Sequence, residues 1–460
     1  MHVTRRLFAS TATPFQAAKL SAKEPKVLPE LRQRSLLTSK LWVHRVEDRI
    51  SKLTNQGRSA FQQLPSDASS GAKEGGVKLD TSLRKMADSF VQVFLPFRSD
   101  SHLKEEYMSP YGRIRIGKVL EDLDALAGSI AYLHCADTDR ELTIVTASVD
   151  RIDLMREIPV DQDISIFGYV TFVGKSSMEV SIHMETILPD SGISAEDMDD
   201  KYMRSKLPQD KLSGESILDA KFIMVARDPS TGKAAKVPQL KLDTNQERKL
   251  FLQGTEHKAR KQFANETALS IRPPSTEEMS LVHSLYLNYR QYDENKGREN
   301  SVDSATPLIP KPSHIEWMRD TRLQNIHLTF PQDRNLHQKI FGGHLMRLAY
   351  ELGYAVGTMF AQTPLKFMSL DDISFRRPVE IGAILDLSGQ VVFTRDRDMV
   401  VRVVANVVEP VSNRREMSNE FWFTFKSVPK RDSESLARQI MPNSYNDCML
   451  YLEGKRRFEN

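Results

Sequence analysis

Two stretches of the sequence carry residues whose types and spacing could do chemistry. One is Asn335-Leu-His-Gln-Lys-Ile-Phe-Gly-Gly-His-Leu-Met-Arg-Leu, in which Gly342 and Gly343 open a segment of helical periodicity. Adjacent glycines let another group approach the backbone closely. The unpaired N–H groups and positive dipole end of a helix start suit an oxygen that becomes negative during a reaction. The other stretch is Gly117-Lys-Val-Leu-Glu-Asp-Leu-Asp-Ala-Leu-Ala-Gly. At about 100° per residue, Ile116, Val119, Leu120, Leu123, Ala127 and Ile130 form one apolar stripe. Asp124 lies on its flank, roughly 70° from the centre, whereas Glu121 falls well off it and Asp122 far from it. Only Asp124 is therefore expected to meet a partly apolar wall, where a carboxylate is a better base near neutral pH. Each feature also has a plainer reading: tight helix–sheet packing for the glycines, a turn or cap for Asn335, a structural cap or ion pair for Asp124.

The elements that must position these residues repeat along the chain. A helix is expected at 117–134, followed by strands at 142–148, 164–173, 178–187 and 221–226, the turn at 228–232 and a return strand. Helices at 245–264 and 276–289 connect to the second half, where a helix from 342 to about 360 precedes strands at 367–375, 384–393, 399–408 and 421–425. Asp150, Ile152, Leu154, Phe172, Met178, Val180 and Ile182 match Asp371, Ile373, Phe375, Phe393, Met399, Val401 and Val403, each 221 positions on. The helices match at 226, pairing Gly117 with Gly343, Val119 with Leu345 and Leu126 with Leu352. A long helix followed by antiparallel strands, made twice, is an α+β architecture.

The two copies have diverged where chemistry is possible. The second helix carries its stripe on Leu345, Ala349, Leu352, Gly353, Val356 and Phe360, which turns Glu351 to solvent. Tyr350 takes the place of Asp124, Ser109 that of Asn335, and only Gly117 remains of the glycine pair. Each half thus holds half of a catalytic set.

Composition narrows the function classes. With 40% hydrophobic and 27% charged residues the chain is globular, and 64 basic against 61 acidic residues, a net +3, give no nucleic-acid-binding face. The longest apolar run, 400–408, is broken by Arg402 and Asn406, too short for a membrane span. Cys135 and Cys448 make no disulfide framework, and no Cys/His cluster has metal-ligand spacing, so neither metal nor cofactor is expected. Both read as buried, inert thiols. Residues 1–23 lack acids, carry Arg5, Arg6, Lys19 and Lys23, and have no continuous apolar run, which is the composition of a mitochondrial transit peptide; an untargeted tail is the alternative. Residues 65–76 read as a linker and 189–215 as an acidic, Ser-rich insertion.

Residues 89–426 resemble the tandem hot-dog acyl-CoA thioesterases. The segments at 117–126, 340–347 and Ser369-Leu-Asp-Asp-Ile-Ser-Phe-Arg-Arg-Pro-Val carry the resemblance, and 445–456 extends it. It implies two fused hot-dog domains, each an antiparallel sheet wrapped around a long central helix, at 89–240 and 316–430. A transit peptide and disordered N-terminus (1–35), an extension and linker (36–88), a helical connector (241–315) and a C-terminal tail (431–460) complete the chain. In this family an Asn or Gln seven positions before the helix glycine helps hold the thioester carbonyl, and Asn335 and Gly342 fit. An acid from the facing helix activates water or attacks directly, and Asp124 fits. The expected reaction is hydrolysis of acyl-CoA to free acid and CoA in the mitochondrial matrix, with CoA entering only as part of the substrate. Gly342 and Gly343 would polarise the carbonyl, His337 could assist, and Arg376 and Arg377 could meet CoA phosphates or remain ordinary solvated charges. Association into a trimer of double hot-dogs is also implied. The competing readings are a catalytically silent acyl-CoA-binding or structural protein and a hot-dog hydratase, the latter weakened because the first helix has no Asp/His pair.

Overall fold

The first half begins with β1 (Leu83–Arg84), β2 (Val91–Leu95) and α1 (Ser101–Tyr107), which lead into the long helix α2 (Ile116–His134). Strands β3 (Thr143–Leu154), β4 (Ile164–Val173), β5 (Ser177–Thr186), β6 (Ser216–Arg227) and β7 (Gln239–Leu240) follow, then α3 (Asn245–Glu266) and α4 (Thr276–Tyr292). The second half contains β8 (Ile315–Trp317), β9 (Leu323–Leu328), α5 (Gly342–Ala361), β10 (Leu365–Leu370), β11 (Ile373–Ser374), β12 (Ile384–Arg395), β13 (Asp398–Val408), β14 (Arg415–Ser427), β15 (Gln439–Met441) and α6 (Tyr445–Glu459). This computed structural model describes residues 83–136, 142–188, 214–292, 311–333, 335, 339–412, 414–428 and 437–459. The expected transit peptide, the linker at 65–76 and nearly all of the insertion at 189–215 lie outside the described residues.

One sheet joins the halves, in the order β2-β4-β5-β6-β3-β10-β14-β13-β12-β9 with β11 also on β3. The seam is antiparallel: Ser369 and Leu370 of β10 face Asp153 and Ile152 of β3, and Ile373 of β11 faces Val149. Each half of the sheet curves around its own helix, α2 in the first and α5 in the second, and the two helices pack against each other. The architecture is α+β with two fused hot-dog domains.

The backbone preserves the duplication down to its irregularities. The shift of register between Thr146 and Ser148 recurs between Phe367 and Ser369. Those at Val170/Phe172 and Met184/Glu185 recur at Val391/Phe393 and Ala405/Asn406. All are separated by the 221 positions that relate the apolar residues. A bulge re-aims the side chains beside it, so keeping it keeps the direction in which its neighbours point. The approach to β2 is also repeated. Ser89 Oγ donates to Met86 O and accepts from Val170 N; Thr321 Oγ1 donates to Met318 O and accepts from Val391 N.

The structure extends the repeat and corrects the sequence reading of the segments after each sheet. The expected connector helix α3 and the expected C-terminal tail are equivalent. Gly254 of α3 sits on Phe172 of β4 beside Phe251, and Gly454 of α6 sits on Phe393 of β12 beside Tyr451. The pairs β1–β7 and β8–β15, both parallel, close the two halves alike. The return strand expected after Gly232 is reduced to a bridge between Arg227 and Ala234. Strands β2 and β9 had no clear sequence signal, the second because Leu323–Leu328 lies largely exposed at the sheet edge.

Burial of α2 also differs from the single-stripe expectation. Glu121 and Asp122 are each 1% exposed. The face off the apolar stripe is covered by α1, whose Tyr107 hydroxyl donates to Asp122, and by α5, whose Arg347 guanidinium lies 3.0 Å from Glu121. Glu121 and Arg347 occupy matching positions, 226 apart, so the ion pair joins two copies of one site where the helices cross. Gly117 and Gly343 allow that crossing. A Cβ on Gly343 would lie 2.9 Å from Glu121 Cα, and one on Gly117 would lie 3.0 Å from Arg347 Cγ. Glu351 is on the exposed side as expected, paired with Arg115.

Removing one partner of a buried pair leaves an uncompensated charge, at a cost of about 3–5 kcal/mol. Arg347→Ala should therefore lower the unfolding free energy by that amount in urea titrations. Replacing Glu121 and Arg347 together with Met should recover most of the loss.

Candidate active site

Helix α5 begins without a side-chain cap of its own: Phe341 at the cap position offers no acceptor. The acceptor comes from the other half. Gly343 N donates to Asp124 Oδ2 at 2.7 Å, so a carboxylate of α2 closes the positive end of α5 across the domain interface. Asp124 is 2% exposed, and its second oxygen accepts from Thr146 Oγ1 at 2.7 Å. Gly342 also borders the carboxylate: a Cβ there would lie 3.1 Å from Asp124 Oδ2 and 3.3 Å from Phe375 Cε1. The wall beside the carboxylate is thus a glycine pair and an aromatic ring.

Thr146 is the residue that sequence reasoning missed. It stands beside the β3 bulge, which shifts register between Thr146 and Ser148, while the bulged residue Ala147 accepts from Phe375 N across the seam. A polar residue two positions after Ile144 in an apolar strand was the available signal, but strand alternation alone could not say that a bulge aims it at Asp124.

The other predicted residues fall as follows. Asn335 lies in the loop before α5, where its N–H donates to Lys339 O and its Oδ1 accepts from Lys339 N. The copy of this loop in the first half is closed in the same way, with Ser109 N donating to Arg113 O and Ser109 Oγ accepting from Arg113 N. Phe341 N donates to Asp333 O, as Arg115 N donates to Tyr107 O, so both loops deliver the chain to the helix start by the same route. His337 lies outside the described residues. Arg376 and Arg377 are exposed after β11, and Arg377 pairs with Glu416. One expectation is corrected: Gly343 N–H is engaged by Asp124 instead of being held for a substrate carbonyl, because the second N–H of an uncapped helix requires an acceptor. Gly342 is the first residue of this helix, so its N–H lies at the same end.

The matching place, at the start of α2, is filled by rings of the second half. Tyr350, the counterpart of Asp124, stacks edge-on against Phe367, the counterpart of Thr146, at 5.5 Å, and against Phe423 at 5.8 Å. Tyr354 and Phe425 complete the cluster. Burial pushes the Tyr350 phenol well above its ordinary range, which keeps it neutral. Where one copy has a carboxylate and a hydroxyl, the other has two rings. The thiols lie elsewhere, and burial pushes Cys135 up to about 12 and raises Cys448, so both are inert as expected.

The chain is similar to proteins of known family. Residues 117–187 match the thioesterase superfamily model. Mitochondrial acyl-coenzyme A thioesterase 9 of Bos taurus is 35% identical to this chain, over 82% of it and 79% of that protein. The Homo sapiens protein of the same name is 34% identical, over 82% and 78%, and mitochondrial acyl-coenzyme A thioesterase 10 of Mus musculus is 34% identical, over 82% and 79%. The chain belongs to the tandem hot-dog acyl-CoA thioesterases. In this thioesterase the acid and the helix end that it caps come from different copies of the repeat.

A hydrogen bond to a charged group contributes about 1.5–3 kcal/mol. Thr146→Val in this thioesterase should therefore lower kcat roughly tenfold to a hundredfold, with the circular dichroism spectrum unchanged. Steady-state CoA release is the measurement.

Proposed function

We propose that the chain hydrolyses acyl-CoA thioesters to free fatty acid and CoA at one site per chain, built from Asp124 and Thr146 of the first half and Asn335, Gly342 and Gly343 of the second. The observation that carries this is the bond from Gly343 N to Asp124 Oδ2. It sets a buried carboxylate against a helix start, where an oxyanion would be stabilised.

In this reading the thioester carbonyl oxygen meets Gly342 N–H and the positive end of α5, with Asn335 contributing through its carboxamide N–H. The buried carboxylate of Asp124, which accepts from Thr146 and Gly343, then takes a proton from a water poised at the carbonyl carbon. Thr146 and Gly343 fix the plane of the carboxylate. Attack forms the C–O bond and places negative charge on the carbonyl oxygen. Collapse breaks the C–S bond, and the proton passes from Asp124 to the departing CoA sulfur.

The competing hydratase reading needs a positioned Asp/His pair, and Asp124 is bonded to Thr146 and Gly343. We propose action in the mitochondrial matrix, supported by the acid-free start of the sequence and the mitochondrial relatives. We also propose assembly as a trimer of double hot-dogs. Exposed Ile326, Leu328 and Phe330 at and just beyond the β9 edge support such association, and light scattering would give three times the chain mass.

Loss of a base or of a positioned donor commonly costs about 10²–10⁴-fold. Asp124→Asn and Asn335→Ala should each lower kcat by that order, and the double variant should be little worse than the more damaging single change. Ser109→Ala should leave turnover near normal. Near-normal turnover by folded Asp124→Asn would remove this mechanism.

A further inference from the structure

Helix α3 meets the outside of the sheet along a face that carries Gly254, His257 and Lys261, at helical spacing. Gly254 sits on Phe172, and His257 lies 3.4 Å from Glu179, so Lys261 is carried on to the seam between the halves. There its Nζ donates to Ser148 Oγ at 2.9 Å, to Asp150 Oδ1 at 2.8 Å and to Asp372 Oδ1 at 2.7 Å. All the donors of the ammonium are thereby used. Ser148 and Asp150 belong to β3 of the first half, and Asp372 to the link between β10 and β11 of the second. Without the lysine, two carboxylates would meet across the seam with no cation between them.

These acceptors surround the bulge that aims Thr146. The register of β3 against β6 shifts between Thr146 and Ser148 and again between Val149 and Arg151, so Ala147 and Asp150 are each extra. In a regular strand Thr146 and Ser148, two positions apart, would share a face. Here Thr146 turns inward to Asp124, and Ser148 turns outward to Lys261. Just beyond Asp372, Ser374 pairs with Ser148, and Phe375 N donates to Ala147 O. Lys261 therefore holds the bulge twice, from its own strand and through the strand beside it.

The equivalent stretch of the second half is held differently. Asp371, 221 positions from Asp150, accepts from Arg457 Nη1 of α6 at 2.8 Å. Asp372 corresponds to Arg151, which is exposed and bonded to Asp153. The three-way tether thus lies on the copy whose bulge carries the hydroxyl.

We propose, on the reading of Asp124 as the base, that Lys261 is a positioning residue for the reaction, holding the β3 bulge so that Thr146 meets Asp124. The lysine touches no reacting atom and acts through Thr146.

Steady-state CoA release by the full chain carrying Lys261→Met tests this, with Asp124→Asn and Thr146→Val measured alongside. Misplacing a catalytic group costs up to about a hundredfold, and Lys261→Met should lower kcat about tenfold with KM within about twofold. In the Thr146→Val background the same change should cost less than about twofold more, because the group it positions is already gone. A merely structural role would multiply the two losses, and that result would overturn the proposal. Unchanged kcat in Lys261→Met, with Asp124→Asn inactive, would remove the lysine and leave the site as described. Near-normal turnover by folded Asp124→Asn would instead overturn the reading of the site, and the proposal with it. If Lys261→Met does not fold, Asp372→Asn, which keeps the shape and weakens one tether, should show the same pattern with a smaller loss; multiplied losses there would overturn the proposal equally.

Discussion

Everything distinctive about this molecule depends on a carboxylate placed at the end of a helix to which it does not belong. A helix start leaves N–H groups without acceptors, and α5 has no capping side chain of its own. Asp124 answers that need from α2, so the folding requirement of one half is met by the chemical group of the other. In the proposed reaction the bond also keeps the acid within reach of Gly342, where negative charge would develop. Packing and catalysis therefore ask for the same geometry. For α2 and α5 to come this close, residues 117 and 343 must lack side chains, and the charges left on the crossing must pair, as Glu121 and Arg347 do.

Duplication explains both how this arrangement arises and why it occurs once. Two copies crossing about a pseudo-twofold axis would place an acid at each helix start. The bulges at Thr146 and Phe367 show that the backbone still aims the side chains alike in both places. The second copy has replaced both polar groups with rings, and Tyr350, Phe367, Phe423 and Phe425 fill the volume. An aromatic cluster contributes apolar burial where a second carboxylate would require desolvation of a charge. One half-site has become core, and the other has kept a carboxylate and a hydroxyl.

Much of this is legible in the sequence, for identifiable reasons. The central helices and inner strands carry strong apolar periods, and their constant offset exposed the repeat. The asymmetry of Asp124 with Tyr350, and of Asn335 with Ser109, could be read by alignment of the chain with itself. Three features could not. Periodicity sees one helix, so it set Glu121 and Asp122 off the apolar stripe and could not show that α1 and α5 cover them. Thr146 needed a bulge whose position only strand pairing reveals. The equivalence of α3 and α6 was hidden because they share little beyond Gly254 and Gly454, with Phe251 and Tyr451 on the same packing contact.

A single working site is the central claim, and the stoichiometry of ligand binding tests it most directly. Titration calorimetry of the wild-type chain with a non-hydrolysable acyl-CoA analogue should give one bound molecule per chain, and Asp124→Asn should leave that number unchanged. Two equivalent sites per chain would show that the aromatic half-site still accepts substrate, and would contradict the account.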